Sequence, residues 1–379
     1  MSERDESAST ASCAVTLFFC GDVMTGRGID QILPFASAPH LYEPYMRSAL
    51  GYVEIAERAT GPIHWPVDFN YIWGDAFAEL ERVRPHARIV NLETAVTVAE
   101  DAWPGKGIHY RMHPSNVGCL TAAKIDCCVL ANNHVLDWGY GGLAQTLDTL
   151  HAAHIATAGA GPDEGHASAP ATLMLPGGQR VLVFGFAAQS AGVSPRWAAT
   201  RVSAGVNFLP DLSSRTSDAI TRQVQAAKRD GDIVIASIHW GGNWGYAISA
   251  AERDFAHRLI VSAGVDMVHG HSSHHPRAFE IFRRHLILYG CGDFLNDYEG
   301  IAGYEESFRP DLGLMYFPTL DAHTGELMHL MLTPVRICHF RVNLAQQEEG
   351  AWLAQMINRE GRGLGVRVER QPDNTLVLQ

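Results

Sequence analysis

The sequence predicts a compact, soluble α/β protein, and three observations support this prediction. Short apolar runs of strand length recur along the 379 residues, and stretches of helical length lie between them. Hydrophobic residues make up 46% of the chain and charged residues 18%, the profile of a compact protein with a large core. Every apolar run also stays well below the roughly 20 residues that cross a membrane. We therefore expect no membrane partner.

Six apolar runs are predicted to be buried strands, because each is short and mostly apolar. In chain order they are VTLFFC at 15–20, ARIVNLE at 87–93, IDCCVLANN at 125–133, RVLVFGF at 180–186, DIVIASIHW at 232–240 and VDMVHG at 265–270. Five helices are predicted between them, and the last three repeat apolar residues at three- and four-residue spacing. They are expected over 75–84, 115–124, 142–153, 214–229 and 250–263.

The pattern changes from about residue 278 to closely spaced strands. The runs are FEIF, HLILYG, LGLMYF and LMLTPVRICHF, followed by an amphipathic helix near 345–360 and a final pair of short strands. We expect this later half to form a second, largely antiparallel sheet that packs on the first. Residues 34–74 are too long for a plain loop and dense in aromatic residues and prolines, which predicts a partly helical insertion beside a binding cleft. The predicted organisation is a disordered tail over 1–14 and a single domain over 15–379.

The charge and the cysteines restrict the partners and the compartment. The formal net charge of -12 excludes nucleic acid as a natural partner, because phosphate backbones would repel the chain. The seven cysteines are odd in number and form no CxxC pair, so neither a zinc ribbon nor a disulfide framework is indicated. The opening residues, MSERDESASTAS, are acidic and polar where a secretory signal needs positive charge and an apolar segment. These features predict a cytoplasmic protein; the oligomeric state is not predicted.

Polar side chains end five of the apolar runs and form the candidate site. In α/β sheets, ligands bind beyond the carboxyl ends of the strands. Carboxylate, amide oxygen and imidazole together suit a divalent cation between hard and borderline character. We therefore predict one bound ion, with Ca, Mg, Mn and Zn all compatible and a hard ion such as Ca favoured, and no organic cofactor. The side chains are Asp22, Asn91, Glu93, Asn132, Asn133, His134, His239, His269, His271 and His274.

Four short motifs resemble those of a known family. GD.M, NLE, NNH..D.G and GH..H, in this order, are similar to the CapA family, known for capsule poly-γ-glutamate synthesis proteins, within the calcineurin-like metallophosphoesterase superfamily. The similarity runs from about residue 15 to 320. It implies a four-layer αββα sandwich in which two mixed β-sheets are flanked by helices. Its implied metal ligands are Asp22, Glu93, Asn133, His239 and His271.

The sequence departs from the superfamily pattern at Met24. The superfamily's two-metal hydrolases have a histidine two positions after the first aspartate, and a thioether is a weak, soft donor. Glu93 is a longer bridge than aspartate, and the motif before His274 contains one extra residue. The resemblance with these departures predicts a single metal and argues against efficient phosphate ester hydrolysis.

Two histidines are predicted to perform acid/base chemistry. The resemblance assigns His134 as the catalytic histidine, and Asp137 follows three residues later, where it would either orient the imidazole or cap the next helix. His274 would pair with Asp22 or bind the metal. Two imidazoles held by acids beside one Lewis acid form the two-base arrangement that inversion at carbon requires.

The sharper resemblance is to the soluble metal-dependent epimerases of lasso-peptide precursors. It implies Cα epimerisation of the C-terminal residue of a ribosomal peptide, with His134 and His274 as bases and Asp137 and Asp22 as their partners. Two alternatives remain open. One is a CapA-like metallohydrolase of a phosphoester or γ-glutamyl amide. The other is an assembly protein for capsule polymer that does not catalyse a reaction.

The predicted substrate contacts are basic and aromatic. Lys106 and Arg111 would hold a C-terminal carboxylate by charge-assisted hydrogen bonds, unless they face solvent. Trp240 and Trp244, with Tyr246, would line an apolar pocket for the peptide, unless they pack in the core. A further segment, YGCGDFLNDYEG, is similar to the family's GDF segment. Its polar residues Asp293, Asn296 and Asp297 are expected to support the metal ligands by hydrogen bonds rather than to bind the metal themselves.

Overall fold

The computed structural model describes residues 14–301 and 306–379. Most of the predicted tail lies outside these residues, and its last residue, Ala14, already belongs to the first strand. Within the described residues there are nine α-helices, and a π-helical segment, Leu259–Ala263, continues the eighth. The helices are α1 Gly28–Ile32, α2 Leu50–Thr60, α3 Ala76–Val83, α4 Gly118–Ala122, α5 Gly139–Ala152, α6 Glu164–Ser168, α7 Ser214–Ala227, α8 Ala250–Arg258 and α9 Gln347–Glu360.

The strands are numbered in chain order over the same residues. They are β1 Ala14–Cys20, β2 Asp22–Val23, β3 Ala87–Asn91, β4 Ala95–Val96, β5 Arg111–Met112, β6 Cys127–Val129, β7 Ala156–Ala158, β8 Ala160–Gly161, β9 Ala171–Met174, β10 Arg180–Ala188, β11 Gly205–Val206, β12 Phe208–Leu209, β13 Ile233–His239, β14 Met267–His271, β15 Phe279–Phe282, β16 His285–Leu288, β17 Asp293–Leu295, β18 Leu312–Asp321, β19 Leu327–Cys338, β20 Arg341–Leu344, β21 Val368–Arg370 and β22 Leu376–Leu378. All six predicted early strands are present.

Most of the strands form two mixed sheets, which confirms the α/β class. The first sheet has the order β21-β22-β19-β18-β1-β3-β6-β7, with β20 beside β19; β1, β3, β6 and β7 are parallel, and β18 runs antiparallel to β1. The second sheet has the order β12-β10-β13-β14-β16-β15, with β9 beside β10, and β10, β13, β14 and β16 are parallel. Short pairs β2–β17, β4–β5 and β8–β11 lie outside both.

The predicted division of the sheets along the chain was wrong. The late strands β18 to β22 do not build a new sheet but extend the first one, because β18 pairs with β1 over Ala14–Cys20. FEIF and HLILYG, as β15 and β16, instead join the second sheet beside the parallel strand β14. The second sheet is therefore built from the middle of the chain, and its central strands are parallel.

Local sequence explains how the helices on the second sheet begin. The Ser249 side chain accepts the backbone N–H of Glu252, and the Glu252 carboxylate accepts the N–H of Ser249, which closes a capping box at the start of α8. Ser213 caps α7 by accepting the backbone N–H of Thr216. The apolar faces of these helices, including Val224 and Phe255, are buried in a core cluster with the second sheet.

A larger core cluster joins the two sheets. Alternate residues of β10 and β13, such as Val183 and Ile235, are buried with the apolar residues of β1, β3 and β6. The neighbouring residues of the same strands, such as Phe184 and Ala236, point to α7 and α8 instead. The second sheet is thus covered on both faces, as parallel strands require.

The first sheet and the insertion complete the surroundings of the site. Residues 34–74 contain α2 and a short 3-10 segment, Tyr71–Trp73. Helix α2 contacts α1, the helix that follows β2 in the chain. Among the described residues, no helix combines the length and the apolar character that crossing a bilayer requires. The carboxyl ends of β1, β3 and β6 in one sheet and of β13 and β14 in the other carry the polar residues singled out in the sequence.

Candidate metal centre

The candidate metal centre is built from side chains at the ends of strands in both sheets. His239 ends β13 and His271 ends β14, and the two are register partners across this parallel pair. Asp22 opens β2, just after β1. One ligand atom from each of these three buried residues lies within 4.8 Å of the others. A single cation at about 2 to 2.5 Å from each donor spans such distances.

Two buried atoms, one on His239 of this cluster and one on the predicted ligand Asn133, are suited to a cation. In the described part of the chain, neither Nε2 of His239 nor Oδ1 of Asn133 has a hydrogen-bond partner. Buried polar atoms are normally satisfied, and a bare imidazole nitrogen or amide oxygen is a metal donor. Oε1 of Glu93 lies 3.9 Å from Nε2 of His239 and 3.9 Å from Nε2 of His134, the residue after Asn133. The residues present therefore fit a divalent ion.

Two asparagines orient the acidic ligands. Nδ2 of Asn91 donates to Oδ1 of Asp22 at 2.7 Å and to Oε2 of Glu93 at 3.2 Å, so one amide holds both carboxylates. Nδ2 of Asn132 in turn donates to Oδ1 of Asn91 at 3.0 Å, which fixes the amide of Asn91 with its donor group toward the acids. Both asparagines stand where the sequence ends an apolar run, and both support ligands.

The electrostatics of the cluster favour a cation. Burial and the charge of Asp293 raise the pKa of Asp22 to about 7, and burial with the charge of Asp22 raises the pKa of Glu93 well above its usual range. Two acids this close resist ionising together unless positive charge lies near them. Burial lowers the pKa of both His239 and His271, which keeps these imidazoles in the neutral form that binds metals.

His134 presents one ring nitrogen to an acid and the other to the cluster. Its Nδ1 lies 2.7 Å from Oδ2 of Asp137, which also accepts the backbone N–H of Tyr110 at 2.7 Å. Asp137 does not cap α5, which begins at Gly139 without a side-chain cap. Burial lowers the pKa of His134 to about 4 against the opposing charge of Asp137, so the ring is neutral near pH 7 and Nε2 is able to accept a proton.

His274 is held by a different acid from the predicted one. Its Nδ1 lies 3.0 Å from Oδ1 of Asp293, whereas Asp22 acts on it only through its charge. Asp22 and Asp293 are register partners of β2 and β17, a pairing between distant segments that no local pattern reveals. Burial alone would lower the pKa of His274, but Asp293 and Asp22 raise it above its ordinary value. This ring is therefore protonated more readily than an ordinary histidine.

Two tyrosines connect the histidines. The ring of Tyr110 lies edge-on to His134, with centroids 4.4 Å apart, and the ring of Tyr298 lies edge-on to His274 at 5.5 Å. The two hydroxyl oxygens are 2.9 Å apart, and the hydroxyl of Tyr298 also donates to Sδ of buried Met24 at 3.4 Å. Neither tyrosine was predicted as a site residue, although Tyr110 lies between Lys106 and Arg111 and Tyr298 lies within the YGCGDFLNDYEG segment.

Arg27 lies beneath this tyrosine pair and was also missed. Its guanidinium stacks 3.9 Å from the ring centroid of Tyr52 and 4.5 Å from that of Tyr110. It is buried and bonds to Asp297 through two nitrogens and to Glu43 of the insertion at 2.9 Å. Its backbone has φ +48°, which is uncommon for a residue other than glycine. Such strain is typical of functional sites. The feature of the sequence that could have indicated Arg27 is its charge between the two glycines of GRG.

The structure separates the four predicted substrate contacts. Lys106 lies at the site but points inward to Asp137. Arg111 is buried away from the ligands, donates to the carbonyls of Ala99 and Ala38 and stacks on the ring of Trp138.

The two predicted aromatic contacts also differ in place. Trp240 packs in the core, 1% exposed, and donates to the carbonyl of Tyr289, so it does not line a pocket. Trp244 is partly exposed and lies 5.5 Å from the ring of His274, measured between centroids. Tyr246 packs with His275 and Phe308. Of the predicted aromatic contacts, Trp244 is therefore the one whose ring packs beside the ring of a predicted catalytic histidine.

Comparison with known proteins places the chain in a family. Residues 16–298 match the family described as bacterial capsule synthesis protein PGA_cap. A Mycobacterium tuberculosis protein named probable polyglutamine synthesis accessory protein is 48% identical over 363 residues, which cover 96% of this chain and 95% of that protein.

Two Bacillus proteins are more distant relatives. The PGA biosynthesis protein CapA of Bacillus subtilis is 25% identical over 280 residues, or 74% of this chain and 62% of that protein. The capsule biosynthesis protein CapA of Bacillus anthracis is 23% identical over 283 residues, or 75% of this chain and 60% of that protein. Because the family match covers about three quarters of its length and a relative matched over nearly its full length is 48% identical, the chain belongs to the PGA_cap family of bacterial capsule synthesis proteins.

Proposed function

We propose that this protein is a metal-dependent hydrolase of γ-glutamyl-type amide bonds that serves as an accessory enzyme in capsule polymer synthesis. The carrying observation is the pair of acid-held histidines, His134 with Asp137 and His274 with Asp293, beside a buried cluster of metal donors. The names of its relatives, which refer to polyglutamine and PGA synthesis, support a glutamate-based polymer as the substrate. This proposal takes up the metallohydrolase alternative from the sequence, which the relatives favour over epimerisation.

The side chains of the site divide the acid/base work between them. A divalent ion held by Asp22, Glu93 and the ligand histidines would supply the Lewis acidity that polarises an amide carbonyl. His134, neutral and with Nε2 toward the cluster, takes the proton from the attacking water. His274, whose pKa Asp293 and Asp22 raise, gives a proton to the nitrogen that leaves. The ligand set and the single ion remain parts of this proposal, as does the calcineurin-like arrangement that the resemblance implies.

Cα epimerisation of a peptide is the second candidate. The same two histidines favour it, because inversion needs one group to remove the α-proton and another to return a proton on the opposite face. The rings contact two different tyrosines of the linked pair, Tyr110 and Tyr298, which separates them in the site. Lasso-peptide precursors are the substrate class that the sequence resemblance implies for this chemistry.

One experiment distinguishes these reactions. The full-length protein, loaded in turn with Mn²⁺, Mg²⁺, Ca²⁺ or Zn²⁺, is incubated in deuterated buffer with poly-γ-glutamate, short γ-glutamyl peptides and linear α-peptides, and the products are analysed by mass spectrometry. We expect new amine termini in the γ-glutamyl substrates, and loss of this cleavage in His134→Gln. The matched control is His329→Gln, because His329 is exposed.

Each result leads to a separate conclusion. Deuterium at an α-carbon without cleavage would replace hydrolysis by epimerisation. Neither cleavage nor exchange, with a bound ion present, would overturn both enzymatic proposals and leave the non-catalytic assembly role. A purified protein that retains no stoichiometric ion and does not respond to added metals would remove the metal centre itself.

A further inference from the structure

Lys106 is turned into the protein rather than toward a substrate. Its ammonium donates to the backbone carbonyl of Asn133 at 2.6 Å and to Oδ1 of Asp137, and it lies 3.0 Å from Nδ1 of His134. Its side chain is 19% exposed and lies over the ring of Trp197, 5.5 Å from the centroid. An ammonium has three donors and no acceptor. Two of the donors serve the Asn133 carbonyl and the Asp137 carboxylate, and the His134 ring lies against the same nitrogen. This geometry leaves little of the cation to hold a substrate carboxylate.

The loop that carries Lys106 is hydrogen-bonded to Asp137 at both of its ends. The backbone N–H of Trp103 donates to the carbonyl of Asp137 at 2.8 Å, and the backbone N–H of Tyr110 donates to its Oδ2 at 2.7 Å. Between them, Gly105 adopts φ +74°, a left-handed conformation that suits glycine and turns the loop. The turn brings the ammonium to Oδ1, the other oxygen of the same carboxylate. Asp137 is therefore held on both oxygens by one short loop.

The second histidine–acid pair has a neutral residue in the equivalent role. Oδ1 of Asp293 faces Nδ1 of His274, and Oδ2 accepts Nδ2 of Asn296 at 2.7 Å. The amide of Asn296 thus takes the place that the ammonium of Lys106 has in the first pair. Among the described hydrogen bonds of this amide, none reaches His274 or the main chain of a predicted metal ligand. Both pairs consist of a histidine and an acid that a third side chain holds, but the third side chain is the cationic Lys106 in the pair of His134 and the neutral Asn296 in the pair of His274.

We propose that Lys106 is a positioning residue that orients both a metal ligand and the proton acceptor. By holding the Asn133 carbonyl and the Asp137 carboxylate together, it fixes the main chain between them, and with it the Asn133 side chain and the His134 ring. The ring is set with Nδ1–H toward Asp137 and its bare Nε2 toward the metal cluster. This role goes beyond the proposed function and rests on it only for the part that His134 plays in turnover.

Kinetics of three lysine variants test the role. In the metal-loaded, full-length protein, Lys106→Met keeps the length of the side chain and removes its charge, and we expect kcat to fall about 100-fold with KM changed less than about threefold. Propylammonium added to Lys106→Ala should restore at least about a tenth of the lost rate, because a small amine can enter the space and make the same hydrogen bonds. Lys124→Met is the matched control, since Lys124 is 67% exposed and pairs with surface Glu81 at 2.9 Å.

Nuclear magnetic resonance supplies a readout that needs no substrate. In ¹⁵N-histidine-labelled protein loaded with diamagnetic Zn²⁺, the ring signals of His134 are assigned by comparison with His134→Gln. We expect a ring protonated at Nδ1 in the natural protein and altered ring ¹⁵N shifts in Lys106→Met, with no change in Lys124→Met. If no substrate is turned over, the proposed function fails, and these shifts still decide the role of Lys106.

Three results would overturn the proposal. A raised KM with an intact kcat would make Lys106 a substrate contact. A lower rate with neither amine rescue nor altered His134 shifts would show that the lysine only stabilises the fold. Unchanged kinetics and unchanged shifts in Lys106→Met would show that the ammonium has no part in the site.

Discussion

Met24 is the single residue that most restricts the chemistry of the site. It is buried and follows Asp22 by two positions, and its sulfur accepts a hydrogen bond from the hydroxyl of Tyr298. A thioether is a poor ligand for hard or borderline cations, so Met24 contributes packing and a weak hydrogen-bond acceptor where the resemblance implies a histidine ligand in two-metal relatives. The prediction of a single ion depends on this position.

Substituting Met24→His should therefore raise the number of bound ions. We expect about one Mn²⁺ per chain in the natural protein and about two in Met24→His, because an imidazole adds a borderline donor two residues after Asp22. Elemental analysis after gel filtration measures the ratio. Met24→Leu, which adds no donor, should stay near one. A natural protein that already holds two ions, or a histidine variant that still holds one, would contradict the prediction.

The loop after β14 shows how one element gives two adjacent histidines opposite properties. His274 faces Asp293, whereas His275 packs against the ring of Phe308, with centroids 4.5 Å apart. Nε2 of His275 accepts the backbone N–H of Gly245 at 3.1 Å, so it carries no proton, and Nδ1–H donates to the carbonyl of Pro276 at 3.1 Å. Burial lowers the pKa of His275 to about 4.

Acid should destabilise the protein through this loop. The pKa of His275 in the fold lies below that of an unfolded histidine, near 6.5, so the unfolded chain takes up the proton first. The stabilisation is complete above pH 6.5 and is lost as the pH falls toward 4. We expect natural protein to lose about 2 kcal/mol more than His275→Gln between pH 7 and pH 4.5, as measured by urea unfolding.

The control for this pH dependence is His323→Gln, which changes an exposed histidine. It should follow the natural protein at both pH values. Equal losses in natural protein and His275→Gln would show that His275 is not the group that takes up the proton. Other buried histidines, including His269, whose pKa burial also lowers to about 4, contribute to the remaining acid sensitivity of both proteins.

At the scale of the whole molecule, the candidate metal centre draws its side chains from both sheets. Asp22 and Glu93 follow strands of the first sheet, and His239 and His271 end strands of the second. The main core cluster already packs these sheets together. An ion bound by both sets of side chains would add a link between the sheets at the carboxyl ends of these strands.

Removing the ion should therefore lower global stability. With free Mn²⁺ at about 100 times its Kd, we expect the free energy of unfolding to exceed that of the chelated protein by about 3 kcal/mol. Urea unfolding with and without the ion measures the difference. His239→Gln removes a buried ligand and should abolish the response, whereas His329→Gln should retain it. Equal stability of the chelated and loaded natural protein would contradict a metal link between the sheets.

The sequence by itself determined the α/β class, the six early strands and the side chains that end them. Strand formation follows from short apolar runs, and the carboxyl ends of parallel strands share an edge, so Asp22, Glu93, His239 and His271 were predicted to converge from local pattern alone. The order of the motifs also gave the family, which the comparisons confirm.

The tertiary structure decided the pairings. Whether late strands extend an old sheet or form a new one depends on β18 meeting β1, and whether His274 faces Asp22 or Asp293 depends on β2 meeting β17. Lys106 and Trp240 have the same local character whether they face a substrate or the interior. Local periodicity specifies what a segment can form, whereas contacts between distant segments are selected by the packing of the whole chain. That selection is why the convergence of the candidate ligands was predictable from the sequence and their supporting partners were not.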